Sequence, residues 1–251
     1  MDTRPFGIDF GGSGIKGALV DLGDGDFDGD RVKIKTPQPA TPGAVAEVVA
    51  ELLGHFPNRT GPVGITVPGV VHRGVVGSAA NIDPAWIGED ADALFTKATG
   101  HEVHIVNDAD AAGLAEVRYG AAKGRDGLVI VTTLGTGIGS ALVYDGALVP
   151  NSELGHLELN GGDAEQYAAN SARENEDLTF EEWAERLTEY YSMVEALFSP
   201  DLFVVGGGIS KKSAEFLPLI DIRTEMVPAT LRNRAGIVGA ALWAAEAAAH
   251  H

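Results

Sequence analysis

Apolar and polar residues alternate in short runs near the N-terminus, then give way to helical spacing, and the two periods keep trading places down the chain. Strands are predicted over 6–10, 15–20 and 31–35. The Asp- and Gly-rich stretch 23–30 between the last two reads as a solvated loop tip; it lacks the terminal Glu and flanking helices of a calcium-binding loop. Pro37-Gln38-Pro39-Ala40-Thr41-Pro42 predicts an extended connector. Val45, Val48, Val49, Leu52 and Leu53 share one face of a helix over 42–56. A buried strand at 62–67, an extended segment around Gly74 at 70–76, a helix over 90–99 stopped by Gly100, a strand at 103–106 and an alanine-rich helix over 109–119 stopped by Gly120 follow. The second half opens with strand–turn–strand over 128–143. It continues with helices over 164–175 and 180–198, a strand at 202–205 and an apolar helix over 237–249.

Two segments share one grammar. Gly7-Ile8-Asp9-Phe10-Gly11-Gly12-Ser13-Gly14-Ile15-Lys16-Gly17 and Val129-Ile130-Val131-Thr132-Thr133-Leu134-Gly135-Thr136-Gly137-Ile138-Gly139-Ser140 are each an apolar strand, a small-residue turn and a second apolar strand. A turn without side chains lets backbone N–H groups approach an anion closely. One copy merely reverses the chain; two copies half a chain apart predict a duplicated phosphate grip. The element order predicts an α/β protein of two lobes with a cleft between them: a small lobe over 1–108, completed by the helix 237–249, and a large lobe over 109–236.

Composition narrows the function classes. The chain has 251 residues, 45% hydrophobic and 22% charged, as expected of a folded globular protein. No apolar run approaches the ~18 residues of a membrane span, and the first strand starts too early to leave room for a signal peptide. Cysteine is absent, which removes disulfides, thiolate metal sites and cysteine nucleophiles; a cytoplasmic location is the expectation. The net charge of −18 disfavours nucleic acid and anionic membranes as partners. His250-His251 carries no functional reading.

Asp108 is the sharpest chemical candidate. It follows a strand and opens a helix, where a carboxylate often only caps. Here Asn107-Asp108-Ala109-Asp110 concentrates polar groups at a strand's carboxyl end, where α/β sheets bind ligands. A carboxylate there can accept the proton of a sugar hydroxyl during phosphoryl transfer. Glu153-Leu154-Gly155-His156, with Glu158 and Glu165 nearby, supplies hydrogen-bonding groups for a polyhydroxy ligand; a single His is a poor zinc site. Asn81 adds an amide close to Trp86, whose simplest role is core packing. Gly69 ends another strand. Gly206-Gly207-Gly208-Ile209-Ser210, followed by Lys211 and Lys212, is a further place for backbone to meet phosphate, without Walker A or dinucleotide spacing.

Taken together these segments resemble the ROK family of sugar kinases. The resemblance implies the actin-like, hexokinase-like (ribonuclease H-like) two-lobe fold with duplicated hairpin-containing sheets. It also implies Asp108 as general base, and Gly69, Asn81, Asn107, Asp108, Glu153, His156 and Glu165 as hexose contacts. Asp9, Gly11, Gly12, Ser13, Gly14, Lys16, Thr133, Gly135, Thr136 and Gly137 would hold phosphate. Gly206, Gly207, Gly208, Lys211 and Lys212 would lie on the nucleotide or polyphosphate. Mg2+, oriented by Asp9 through water, and a homodimer belong to the same implication. Many members carry a cysteine-rich zinc loop after the Glu-x-Gly-His segment; this chain does not, so no zinc is expected. That departure and the Gly-Gly-Ser-Gly-Ile-Lys-Gly loop resemble the members that phosphorylate glucose, and in some cases mannose, from inorganic polyphosphate or ATP. Polyphosphate needs cations, and Lys16, Lys123, Arg125, Lys211, Lys212, Arg232 and Arg234 are the available ones. A strictly ATP-dependent glucose or N-acetylhexosamine kinase and a non-catalytic sugar sensor remain as alternatives. A repressor is disfavoured because no helix-turn-helix precedes the first strand.

Overall fold

The computed structural model describes residues 4–57, 59–79 and 82–249. The chain divides into two compact units. Unit one is Met1–Ala115 with Asn233–His251, and unit two is Glu116–Arg232.

Unit one is built on β1 (Phe6–Gly11), β2 (Gly14–Asp21), β3 (Asp26–Phe27), β4 (Val32–Ile34), α1 (Pro42–Gly54), β5 (Val63–Val67), the small hairpin β6 (Val71–His72) and β7 (Val75–Val76), α2 (Ala91–Thr99), β8 (Val103–Asn107) and the start of α3 (Asp108–Tyr119). The strands run in the order β3-β2-β1-β5-β8, with β4 also pairing β2. β1 is antiparallel to β2 and parallel to β5. Phe6, Ile8 and Phe10 point to one face and enter a core with Val45, Val49 and Leu52 of α1. Thr41 caps α1 through its hydroxyl, with proline at the first turn. Asp90 caps α2, and Gly100 closes it in the left-handed conformation at φ 70°. Trp86 is buried beside Phe10 and Phe95, with its indole N–H on the Ala40 carbonyl, so its role is packing.

The other face of this sheet carries the C-terminal helix, Ala235–Ala249. It lies against bare backbone. A Cβ on Gly7 would run into the Ile237 carbonyl, and one on Gly64 into that of Ala240. This close seat brings Gly236 beside the Asp9 carboxyl group.

Unit two repeats the scheme with β9 (Leu128–Leu134), β10 (Ile138–Tyr144), β11 (Ala147–Val149), the hairpin β12 (Glu158–Leu159) and β13 (Gly162–Asp163), α4 (Ala164–Ala168), α5 (Asn170–Asn175), α6 (Phe180–Phe198), β14 (Leu202–Gly206), α7 (Ser213–Phe216) and β15 (Met226–Pro228). Its sheet runs β11-β10-β9-β14-β15. A capping box between Thr179 and Glu182 starts α6, which buries Trp183, Leu187, Tyr190, Tyr191 and Val194.

The helix expected over 164–175 is broken at Ala169, whose ψ of 160° is extended. The break has a hydrogen-bond cause. The Ser171 N–H goes to the Gly135 carbonyl, the Tyr167 carbonyl receives Arg186, and the Ala168 carbonyl receives the Trp183 indole. Two bonds that a continuous helix would need are lost: Ser171 N–H to the Tyr167 carbonyl, diverted at both of its ends, and Ala172 N–H to the Ala168 carbonyl. The diverted Ser171 N–H anchors the second glycine turn. Among the described residues no helix is long and apolar enough to cross a membrane.

Candidate functional site

In unit one, Gly11 pairs with Gly14 across a two-residue turn of Gly12 and Ser13. A Cβ on Gly12 would meet no protein atom within 4 Å, so glycine there leaves room outside the chain rather than inside it. The Thr36 hydroxyl donates to the Gly11 carbonyl at 2.5 Å and braces the turn. A cavity of about 250 Å³ borders Gly12, between Phe10, Gln38 and Asp83. Asp9 lies in β1, two residues before its end. Its Oδ2 accepts from Lys16 Nζ at 2.9 Å, and the Thr66 hydroxyl reaches Oδ1 at 3.5 Å. No group of three or more His, Cys, Asp or Glu side chains suited to a metal occurs among the described residues. The Asp9 carboxylate with the Thr66 hydroxyl beside it suits Mg2+, which takes oxygen ligands, keeps most of its waters and binds chiefly through substrate phosphates; the Lys16 ammonium competes for Oδ2.

Asp108 sits exposed in the first turn of α3, directly after the buried strand β8. Asn107 holds it there. The Asn107 Oδ1 accepts from the N–H groups of Ala109 at 2.8 Å and Asp110 at 3.0 Å, and its Nδ2 donates to the Gly69 carbonyl at 3.0 Å. The buried amide therefore caps the helix and ties the Pro68-Gly69 bend to the same place. Gly69 is glycine for a local reason: the Ser78 carbonyl occupies the position of a Cβ. Asn81 lies outside the described residues.

In unit two, Thr133, Gly135, Thr136 and Gly137 form the second turn. A Cβ on Gly135 would again meet nothing. The Ser171 hydroxyl donates to the Thr136 carbonyl at 2.5 Å. Glu165 binds this turn to the Glu-Leu-Gly-His segment: its Oε2 accepts the Ile138 N–H at 3.1 Å, lies where a side chain on Gly137 would go, and crowds the place of one on Gly155, which the Ile138 carbonyl already occupies. Glu153 and His156 lie on one short turn, with Oε2 and Nε2 3.9 Å apart. Desolvation pushes the Glu153 carboxyl above its ordinary value; His156 pulls it down and Glu165 pushes it further up.

One participant escaped the sequence reading. Asp163 Oδ2 lies 3.3 Å from His156 Nδ1, so the imidazole is oriented by a carboxylate on its far nitrogen. The signal was present: Asn160-Gly161 is a two-residue hairpin turn, both residues at positive φ, that returns Asp163 opposite Glu158. Glu158 itself is exposed and enters only through this pairing.

The loop after β14 divides by residue. Gly207 adopts φ 84°, and Leu134 backbone occupies the place of its Cβ, so the protein itself requires glycine there. A Cβ on Gly208 would meet nothing, which leaves that position open to a ligand. Gly206 pairs with Thr133, which joins this loop to the second turn. Lys211 and Lys212 are exposed, and Lys212 lies 5.5 Å over the Phe180 ring. Among the other cations, Arg125 is paired with Glu225 and Arg234 with Asp26, both at 2.7 Å, while Lys123 and Arg232 are exposed.

The fold, with its two hairpin-containing sheets, is that of sugar kinases, and comparison with known proteins gives the family. The ROK family profile matches residues 5–169, and the chain belongs to the ROK family. A polyphosphate glucokinase of Mycobacterium tuberculosis (strain CDC 1551 / Oshkosh) is 55% identical over 238 residues, 94% of this chain and 89% of that one. The inorganic polyphosphate/ATP-glucomannokinase of Arthrobacter sp. strain KM superimposes with a TM-score of 0.92 at 54% identity, covering 100% of both chains. A ROK glucokinase from Streptomyces griseus, in complex with glucose and AMPPNP, superimposes with a TM-score of 0.82 at 26% identity, over 97% of this chain and 99% of that one.

Proposed function

We propose that this protein transfers a phosphoryl group from inorganic polyphosphate, and also from ATP, to the 6-hydroxyl of glucose. The observation that carries the chemistry is Asp108, an exposed carboxylate fixed by the Asn107 cap at the end of a buried strand. The donor rests on the polyphosphate-dependent activities of the Mycobacterium and Arthrobacter relatives, and mannose as a second sugar rests on the latter. In this reading Asn81, Asn107, Gly69, Glu153, His156 and Glu165 hold the sugar. Asp163 keeps the His156 ring in one orientation. Asp108 takes the proton of the 6-hydroxyl as its oxygen attacks the terminal phosphorus. The P–O bond to the next phosphate breaks, and the shortened chain, or ADP, leaves with the bond's electrons. Backbone N–H groups of the two open turns, with Lys16, face the charge on the transferring group. Asp9 would hold Mg2+ through water, and the ion would supply charge neutralisation on the donor phosphates. Gly206 and Gly208, with Lys211 and Lys212, take the nucleotide side. The reading includes a cytoplasmic homodimer.

A coupled glucose 6-phosphate assay with nucleotide-free polyphosphate and with ATP tests this. Product from both donors is expected; none from either overturns the proposal, and product from ATP alone makes the enzyme a strictly ATP-dependent kinase. Raising the salt concentration should raise the KM for polyphosphate far more than that for glucose, since exposed charge contacts are screened within about 10 Å at 0.1 M. Equal salt sensitivity of the two KM values would count against a charged donor groove.

Glucose affinity should also follow Glu153. Sugar hydroxyls donate to the ionised carboxylate, and burial makes Glu153 take up its proton at a higher pH than an ordinary glutamate. Glucose KM should therefore rise as pH falls, beginning at a higher pH than an ordinary glutamate would give. Glu153→Gln should raise KM about tenfold or more and flatten that profile. A Gln variant that retains the wild-type pH dependence of KM would remove Glu153 from this role.

A further inference from the structure

Lys33 was not among the cations singled out in the sequence, yet strand register places it next to the first glycine turn. Asp9 lies opposite Lys16 on β1 and β2, and Lys16 lies opposite Lys33 on β2 and β4. The three side chains form one row across the sheet. Asp9 is the one acid in this row, and Lys16 contacts it at 2.9 Å. Lys33 therefore adds a positive charge that no acid in the row balances. Its side chain lies over Gly14: a Cβ there would run into Lys33 Cε and come within 3.3 Å of Nζ. The missing side chain at position 14 is what seats the lysine against the turn.

Arg31 and Lys35 extend this arrangement. Arg31, Lys33 and Lys35 are exposed, while Val32 and Ile34 between them turn inward onto the core. The alternation puts three cations on one face over four residue steps, roughly 13 Å of extended chain. Among the described residues none of the three is ion-paired, unlike Arg125 and Arg234. In a chain of net charge −18 such an unbalanced run is unusual. Lysine on the outer strand of a sheet also discourages edge-to-edge association, which is the plainer explanation.

We propose that Lys35, Lys33 and Arg31 form a track for the distal phosphates of an inorganic polyphosphate chain whose reacting end lies at the Gly11–Gly14 turn. This rests on the polyphosphate-dependent reading above. The occupant is a flexible polyanion because the charges are spaced along a line, unpaired, and continue from a phosphate-type turn. A nucleotide ends too soon to use all of them.

The test compares tripolyphosphate with long-chain polyphosphate in the coupled assay, for wild type, Arg31→Gln/Lys33→Gln and the charge-preserving Arg31→Lys/Lys33→Arg. In the Gln pair, the ratio of kcat/KM for long chains to that for tripolyphosphate should fall about tenfold. The charge-preserving pair should keep the wild-type ratio. An unchanged ratio in the Gln pair overturns the track, and so does an equal loss for both chain lengths, which would mark damage to the turn. Self-association of the Gln pair with an unchanged ratio assigns the lysines to edge protection and likewise overturns it. Wild type that uses ATP but no polyphosphate overturns the underlying donor reading as well, so the two failures are distinct.

Discussion

Asp108→Ala should lower kcat by about 10²–10⁴-fold while glucose binding stays close to wild type. The loss corresponds to about 3–5 kcal/mol of transition-state stabilisation. The expectation follows from how the carboxylate is held. Asn107 accepts the N–H groups of both Ala109 and Asp110, and Asp108 Oδ1 only shares the Ala109 N–H at 2.9 Å, so removing the carboxylate leaves both donors at the start of α3 satisfied. The sugar's other hydrogen bonds, assigned to Glu153, His156 and Glu165, are untouched. The effect should therefore appear in turnover and not in affinity, the mark of an interaction made as the proton moves. Steady-state kinetics with glucose titration by intrinsic fluorescence separate the two quantities. Near-normal turnover in Asp108→Ala would end the general-base assignment. Loss of glucose binding in step with kcat would make Asp108 a binding group.

Gly64→Ala should destabilise the protein by about 3 kcal/mol and lower its Tm by roughly 6–12 °C. The added methyl group would occupy space held by the Ala240 carbonyl, and carbonyl oxygens of a helix cannot turn aside as a flexible side chain can. The C-terminal helix must lift off β5. Gly43→Ala, in α1, is the control: its Cβ meets nothing within 4 Å, and alanine favours helix. Thermal melts followed by circular dichroism compare the two. If both variants melt together, the helix does not lie as close to the sheet as described. Because Gly236 of the same helix abuts Asp9, a weakened seat should also reduce activity below the melting transition.

Much of this architecture is legible in the chain because its signals are local. The hairpin of β1 and β2 follows from alternation and a glycine turn. The helix 180–198 follows from its apolar stripe and the Thr179–Glu182 capping box. What was missed depends on distant partners. The break at Ala169 comes from Gly135, Arg186 and Trp183 drawing off helix hydrogen bonds, and no local propensity encodes it. Strands β3 and β15, two and three residues long, exist because β2 and β14 pair with them. Lys33 gains meaning only once register sets it beside Lys16. Asp163 is a different case, since the Asn160-Gly161 turn spelled out its return toward His156. In the sequence Asn107 reads as a ligand group; among the described residues its side-chain hydrogen bonds go to backbone around the site.

In the proposed assignment the Glu165 carboxylate would serve both the sugar and the second glycine turn. It accepts the Ile138 N–H at the second turn and fills the space beside Gly137 and Gly155. On that assignment a change at position 165 would disturb the hold on the sugar and on the phosphate donor at once, so a variant aimed at another hexose has little freedom there.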